Sequence, residues 1–195
     1  MGKSTKKERF FEESLKLIHE KGYKATTMRD IAEKLNFKVA NVYNYIDSKQ
    51  ALLETYLFDI SNEFLDSIEL IMDSSYAPDE KLRLIISVHI QMISKKPYEL
   101  SLLVNEWRNL EDPKRGELLY LKKKYNKKVR EIIIAGMEQG KFRVMDPDFA
   151  TLTFLSSLRW LYDKYTDAND KNANTNRIEI EKQLTDFIFL GMGKH

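Results

Sequence analysis

The chain has 195 residues, of which 43% are hydrophobic and 32% are charged, and its formal net charge is +2. This length allows one large domain or two small ones. Cysteine is absent, which excludes disulfide frameworks, thiolate metal sites and cysteine catalysis. No apolar run approaches the ~18 residues of a membrane span, and the basic N-terminus lacks the apolar stretch of a secretion signal. We therefore expect a soluble, cytoplasmic protein without a membrane partner.

The spacing of apolar residues predicts an all-α protein of about nine helices and no strand. Thr27 is placed to cap the start of the second helix, and Asn36 follows its end, where a left-handed conformation is needed. The Asn-rich stretch 166–177 has no periodicity and is predicted to be a mobile loop. In chain order, the predicted helices span residues 4–21, 28–35, 39–45, 49–73, 79–94, 97–110, 113–139, 148–165 and 177–190.

The second and third predicted helices are short and lie a tight turn apart, which is the arrangement of a helix-turn-helix. The third helix buries Val42 and Ile46 and exposes amides and phenols, which suit base edges and phosphates better than bulk water. Residues 1–50 are basic, with 11 Lys and Arg against 7 Asp and Glu, whereas the remaining residues have 21 against 23. The predicted DNA-binding residues are Thr27, Arg29, Lys38, Val39, Asn41, Tyr43, Asn44, Tyr45 and Lys49.

These residues are predicted to have two roles. Tyr43 and Lys49 contact phosphates, and Thr27 assists at the start of its helix. In the major groove, Asn can pair with adenine, Lys with guanine and Val with a thymine methyl. One recognition helix touches few base pairs, so specific affinity requires two half-sites and a homodimer. The residues expected to face the major groove are Lys38, Val39, Asn41, Asn44 and Tyr45.

Residues 5–55 resemble the N-terminal domain of tetracycline-repressor (TetR) family regulators. The matching positions are Gly22-Tyr23, Thr26-Thr27, Ile31-Ala32, Tyr43, Tyr45 and Lys49–Leu53. The departures are Asn36 and Ala40 in place of Gly, Lys38 in place of a capping Ser or Thr, Ile46 in place of Phe and Asp47 in place of Pro. Lys38 exchanges a cap worth about 1 kcal/mol for a positive charge near the DNA. The resemblance implies a two-domain transcriptional regulator, a homodimer that releases its operator when a small apolar ligand binds.

Two later segments, 104–110 and 158–165, combine Trp, Tyr and Arg and flank the link GKFRVMDPDFA. Their order is similar to that in TetR-type regulators that respond to acyl-CoA or related CoA thioesters, although Arg159 replaces the usual Asn. The aromatics could line an acyl cavity, or they could be ordinary core residues. Clustered Lys and Arg along residues 114–130 could meet CoA phosphates, or they could be a solvated helix face. The predicted ligand-binding residues are Trp107, Arg108, Tyr120, Tyr125, Arg159, Trp160 and Tyr162.

We predict a DNA-binding domain over residues 1–50 and an effector-binding and dimerisation domain over 51–195, with the boundary in the helix that begins near Lys49. In the dimer, the last two helices are expected to form a four-helix interface. Six apolar residues are expected on its surface, namely Phe154, Leu158, Leu161, Phe187, Ile188 and Leu190.

We predict no catalytic residue, metal or cofactor, because His19, His89 and His195 lack metal-ligand spacing and no nucleophile or phosphate-loop motif occurs. His89 is expected to be a packed or surface residue.

Two other classes of protein stay open. A helix-turn-helix regulator that acts through protein partners would be favoured by a body without a cavity above ~300 Å³. A helical lyase or hydrolase would be favoured by a buried residue pair with strongly shifted pKa values.

Overall fold

The structure, a computed structural model, describes residues 5–165 and 177–193. Within these ranges it contains nine α-helices, one 3₁₀ helix and no strand, which confirms the predicted all-α class. One antiparallel bridge joins Phe142 and Gly193. The helices are α1 (Lys6–Lys21), α2 (Met28–Leu35), α3 (Val39–Val42), α4 (Lys49–Asp73), α5 (Pro78–Lys95), α6 (Pro97–Asn105), α7 (Lys114–Glu138), α8 (Pro147–Tyr165) and α9 (Arg177–Met192), and the 3₁₀ helix is Trp107–Asn109.

Local capping residues begin and end α1 and α2. The Thr27 side chain caps α2 in a reciprocal capping box with Asp30, as Thr5 caps α1 with Glu8. Asn36 ends α2 in the left-handed conformation, with a φ of 56°. Gly22 ends α1 with a φ of 82°, which favours glycine. The predicted roles of Thr27 as the cap of α2 and of Asn36 as its end are therefore confirmed.

Two predicted helices are shorter in the structure. The prediction that the third helix continues to residue 45 is wrong, because α3 ends at Val42 and the next amides bond three residues back, Asn44 to Asn41 and Tyr45 to Val42. The sixth predicted helix, 97–110, is interrupted, because α6 ends at Asn105 and the 3₁₀ helix follows. The predicted loop over residues 166–176 lies outside the described residues.

The chain divides into two compact units. The first consists of Met1–Ile60 and Tyr98–Leu118, and the second of Ser61–Pro97 and Leu119–His195. The core of the first unit is apolar and includes Phe10, Ile18, Ile31, Val42 and Leu53. Residues 98–118 thus pack with the helix-turn-helix, although they lie far from it in sequence. The division at residue 50 into DNA-binding and effector-binding domains concerns function, and it stays a prediction.

Candidate nucleic-acid interface

The start of α2 is held by hydrogen bonds within its first turn. The Thr27 amide and hydroxyl both donate to Asp30 Oδ2, at 2.7 and 2.6 Å, and the Asp30 amide donates to Thr27 Oγ1 at 3.1 Å. Lys21 Nζ donates to the other carboxylate oxygen at 3.1 Å. These bonds lower the pKa of Asp30 to about 2, the hydroxyl of Thr27 being the largest cause. Thr27 is therefore a structural cap, and it is also exposed at the surface.

The segment 38–44 presents polar side chains to solvent over an apolar base. Val42 is fully buried and anchors α3 against the core of the first unit. The Tyr43 side chain is 50% exposed. This face can offer amides, a phenol and an ammonium to a DNA groove. The other exposed residues of the predicted set are Arg29, Lys38, Val39, Asn41 and Asn44.

Tyr45 differs from the rest of the predicted set. Its ring stacks on Phe10, with centroids 5.1 Å apart, and on Phe37, with centroids 5.9 Å apart. The ring is part of the aromatic packing behind α3 and stays partly exposed, so the predicted contact of Tyr45 with DNA bases stays a prediction. Such pairs contribute about 0.5–1.5 kcal/mol beyond the burial of their area.

Lys49, at the first position of α4, is engaged inside the first unit. Its Nζ donates to the carbonyls of Tyr23 at 2.9 Å and Thr26 at 2.8 Å, and it lies 4.4 Å from the centre of the Tyr23 ring. The predicted contact of Lys49 with a phosphate stays a prediction, and it requires the ammonium to share or leave these carbonyls.

In the second unit, His89 joins three helices through both of its ring nitrogens. Nε2 lies 2.8 Å from the hydroxyl of Tyr125 on α7, and Nδ1 contacts the hydroxyl of Tyr162 on α8. Phe64 packs on the imidazole, with ring centroids 4.8 Å apart. Burial lowers the pKa of His89 to about 3 and raises the pKa of both phenols.

A buried residue pair with strongly shifted pKa values would favour an enzyme. The cluster His89–Tyr125–Tyr162 matches this description only in part. The pKa of His89 moves down and the pKa values of the phenols move up, so all three groups stay neutral near pH 7. A general acid or base works best with a pKa near the working pH. His89 is expected from the sequence to be a packed or a surface residue, and it is packed, although sequence reasoning missed its polar partners. The available signal was a single imidazole among the buried isoleucines of α5.

The seven predicted ligand-binding residues are divided between the two units. Trp107 and Arg108 belong to the first unit, where the Arg108 guanidinium lies 4.6 Å from the Trp107 ring centre. Tyr120 is 68% exposed on α7. Arg159 and Trp160 are also at the surface of α8. In the second unit, Tyr125 and Tyr162 meet at His89, because helix faces, and not residue type, decide which aromatics point inwards.

The basic face of α7 is largely ion-paired. Lys124 and Lys128 both reach Glu69, at 3.2 and 2.7 Å, and Arg130 Nε lies 2.6 Å from Asp148. These pairs lower the pKa of Glu69. Binding of CoA phosphates here would have to compete with the carboxylates.

The helices α8 and α9 carry exposed apolar side chains. Leu152 is 59% exposed and Phe187 is 74% exposed. Of the six residues expected at a dimer interface, Phe187 and Leu190 are at the surface of the chain, whereas the other four are buried in it. That part of the prediction is wrong, because Phe154, Leu158, Leu161 and Ile188 lie on inward faces. The exposed apolar residues of α8 and α9 are Phe149, Leu152, Trp160, Ile178, Phe187 and Leu190.

A capped α2 followed by a short α3 with an exposed polar face defines a DNA-binding protein of the helix-turn-helix class. Two family descriptions match the chain. "Bacterial regulatory proteins, tetR family" covers residues 10–56, and "Tetracyclin repressor-like, C-terminal domain" covers residues 75–192. The chain belongs to the TetR family of transcriptional regulators, which are DNA-binding proteins and not enzymes.

Similar proteins include two repressors. The HTH-type transcriptional repressor KstR2 of Mycolicibacterium smegmatis is 26% identical over 150 residues, which are 74% of this chain and 73% of that protein. The biofilm operon icaADBC negative transcriptional regulator IcaR of Staphylococcus epidermidis is 30% identical over 73 residues, which are 37% of this chain and 40% of that protein.

Solved structures share the fold over nearly the whole chain. The ketosteroid transcriptional regulator KstR2 of Mycobacterium tuberculosis has a TM-score of 0.89 at 19% identity, covering 100% of this chain and 98% of that one. AibR in complex with isovaleryl coenzyme A and operator DNA has a TM-score of 0.77 at 22% identity, covering 95% and 97%. In the described residues, no helix is both long and apolar enough to cross a membrane.

Proposed function

We propose that the protein is a homodimeric repressor that binds a pseudo-palindromic operator and releases it when a small apolar ligand binds its C-terminal part. The observation that carries the DNA-binding surface is the exposed face of residues 38–44 over the buried Val42. Asn41 and Asn44 can read adenine, and Lys38 can read guanine. Tyr43, Thr27 and the nearby Arg29 can contact phosphates.

Repression is supported by the names of the relatives, because both KstR2 and IcaR are negative regulators. The acyl-CoA class of effector is supported by the AibR structure, whose title names isovaleryl coenzyme A. Of the predicted ligand-binding residues, we keep Tyr125 and Tyr162 as candidates. Tyr162 is buried and Tyr125 is half-buried, and His89 links their hydroxyls. Convergent polar groups of this kind orient ligands in apolar sites.

A homodimer is supported by the exposed apolar residues of α8 and α9. Soluble chains rarely leave large contiguous apolar patches uncovered. A second copy that covers these helices with its own α8 and α9 would form the four-helix interface expected from the sequence. It would also supply the second recognition helix that a specific site requires.

Selection of bound duplexes from a random pool tests the DNA-binding proposal. The expected product is an inverted repeat whose half-sites lie about one helical turn, ~34–36 Å, apart or a multiple of it. A pool that shows no enriched sequence after repeated selection would contradict the proposal.

Titration of a long-chain acyl-CoA against the protein–operator complex tests the effector. A ligand shifts the equilibrium only by its differential affinity for the two states, so DNA affinity should fall by roughly 5- to 150-fold. Calorimetry on the same samples reports binding independently. An operator affinity that stays constant while the acyl-CoA binds would contradict the proposed coupling.

A further inference from the structure

The turn between α1 and α2, residues 22–27, leads directly into the first turn of α2. We call it the α1–α2 turn. Its end is Thr27, the cap of α2, so the path of this turn sets the position of α2, which packs against α3. Any residue that holds the turn therefore helps to place the proposed DNA-binding face.

Lys49 holds one side of the α1–α2 turn. Its ammonium donates to the carbonyls of Tyr23 and Thr26, and at 3.5 Å to that of Lys24. Tyr23 and Thr26 are buried residues, whereas Lys24 is exposed. The ammonium therefore pairs carbonyls of buried residues and also limits the conformations of the turn.

Glu106, just after α6, holds the other side. Its Oε1 accepts the backbone amide of Tyr23 at 3.2 Å, and its Oε2 accepts Nδ2 of Asn109 at 2.5 Å. The backbone of Tyr23 is thus held by a carboxylate at its amide and by an ammonium at its carbonyl. Hydrogen bonds with one charged partner are about twice as strong as neutral ones.

A second path closes this arrangement into a ring of hydrogen bonds. Nε2 of Gln50 donates to the carbonyl of Asn109 at 3.1 Å, and the Tyr23 hydroxyl donates to Oε1 of Gln50 at 2.6 Å. Burial, helped by nearby carboxylates, raises the pKa of Tyr23 to about 12, so the phenol keeps the proton that it donates. The ring is Tyr23–Glu106–Asn109–Gln50, entirely within the first unit.

We propose that Glu106 is a positioning residue of the DNA-binding surface, and that Lys49 acts with it by clamping the α1–α2 turn. This inference rests on the proposed function of that surface. Glu106 lies 50 residues beyond the end of the region 10–56 that matches the N-terminal family description, so no helix-turn-helix pattern points to it. Its carboxylate acts through Tyr23 and does not itself contact DNA.

Amide hydrogen exchange on the free protein tests the clamp without DNA. In Glu106→Ala, the amide of Tyr23 loses its acceptor and should exchange about 10-fold faster, the order of factor that loss of one charge-assisted hydrogen bond produces. Glu106→Gln keeps an oxygen that can accept this amide and should restore most of the protection. Glu111→Ala removes the same charge near Tyr23 without removing this bond, and should leave the exchange unchanged. Unchanged exchange in Glu106→Ala would overturn the clamp.

DNA affinity tests the consequence, with the duplex selected by the wild-type chain and a random duplex of equal length as probes. Glu106→Ala should bind the selected duplex about 10-fold more weakly. Its affinity for the random duplex should fall less, and the salt slope should be unchanged. Tyr56→Phe is the stability control, because it removes a 2.6 Å bond to the carbonyl of Phe11 in the same unit without touching the turn. An equal affinity loss in Tyr56→Phe or Glu111→Ala would overturn the positioning role.

Lys49→Ala separates clamping from phosphate contact. Clamping predicts an unchanged salt slope and faster amide exchange in the α1–α2 turn. It also predicts that the double variant with Glu106→Ala loses less DNA affinity than the product of the two single losses. A salt slope reduced by about one unit per half-site, with normal exchange in the turn, would overturn the role of Lys49. If the wild-type chain selects no duplex, the proposed function fails, while the exchange experiment still decides the clamp.

Discussion

Asn44 lies exposed just beyond α3, and we predict that its side-chain amide reads a base edge. Replacing Asn44 by Ala should change the preferred base at one operator position and cost about 1–3 kcal/mol of binding free energy there. Repeated selection from random duplexes with the variant measures both effects. Asn62→Ala, at an exposed position of α4, is the matched control and should leave the selected sequence unchanged. The same sequence selected by Asn44→Ala would contradict base reading by this residue.

Asp30 couples the α2 cap to pH. Its folded pKa, about 2, lies below the ordinary value of ~3.9, because it accepts hydrogen bonds from Thr27 and Lys21. A carboxyl with a lowered folded pKa stabilises the fold above its unfolded pKa, and this contribution is lost as the pH falls through its folded pKa. Asp30→Asn should therefore be less stable than the wild type near neutral pH, and the difference should shrink between about pH 4 and 2.

Urea unfolding at several pH values measures this difference in the free energy of unfolding. Asp59→Asn, at an exposed position of α4, serves as the control for loss of one carboxylate. If the difference between Asp30→Asn and the wild type stays constant down to about pH 2, the hydrogen bonds of Thr27 and Lys21 do not lower this pKa.

At the scale of the element, α3 combines a weak start with an exposed charge. Lys38 is its first flanking residue and makes no capping bond with its side chain. Lys38→Ser should supply that bond and stabilise the protein by about 1 kcal/mol. It should also lower the salt slope of DNA binding by about one unit per half-site, because one positive charge near the DNA is removed. Thermal unfolding and titrations at several salt concentrations measure the two effects.

Lys123→Ser, on the exposed face of α7, is the control for this experiment and should leave the salt slope of DNA binding unchanged. A slope that is also unchanged in Lys38→Ser would show that Lys38 lies away from the DNA. If Lys38→Ser is more stable but its salt slope of DNA binding is unchanged, the effect of Lys38 is limited to the poor capping of α3.

Three helices of the second unit, α5, α7 and α8, meet at His89. Its folded pKa, about 3, lies below the ordinary value of ~6.5, so the unfolded chain binds the extra proton first as the pH falls. The wild type should therefore lose stability relative to His89→Gln by up to about 1.4 kcal/mol per pH unit below about pH 6.5. Urea unfolding between neutral and acid pH measures it. Tyr125→Phe keeps the imidazole and should keep the pH dependence, and a pH-independent gap for His89→Gln would contradict neutral burial.

At the scale of the whole molecule, the exposed apolar faces of α8 and α9 predict that dimerisation and DNA binding are linked. Leu152→Glu with Phe187→Glu should convert a dimer to a monomer, because each carboxylate would be desolvated in the interface. Analytical ultracentrifugation measures the mass, and titration measures binding to the selected inverted repeat, which should weaken strongly. Leu70→Glu, 74% exposed on α4, is the control and should remain dimeric. A dimeric double variant would place the interface elsewhere.

The sequence by itself determined the all-α class, most helix ends and the helix-turn-helix. These features depend on local physics. Thr27 caps α2 because its own hydroxyl reaches the amide of Asp30, and Asn36 ends α2 because its backbone tolerates the left-handed conformation. Such interactions join residues a few positions apart, so their pattern can be read along the chain.

The tertiary structure alone decided which side chains are exposed and which contact distant parts of the chain. Tyr45 turns inwards because its ring stacks on Phe10, 35 residues earlier, and this stacking accompanies the end of α3 at Val42. Lys49 meets backbone carbonyls, and Glu106 meets the amide of Tyr23, because the start of α4, residues 49–60, and residues 98–118 pack with the helix-turn-helix in one unit. Contacts between residues distant in sequence depend on how the helices pack, and no local spacing of residue types encodes them.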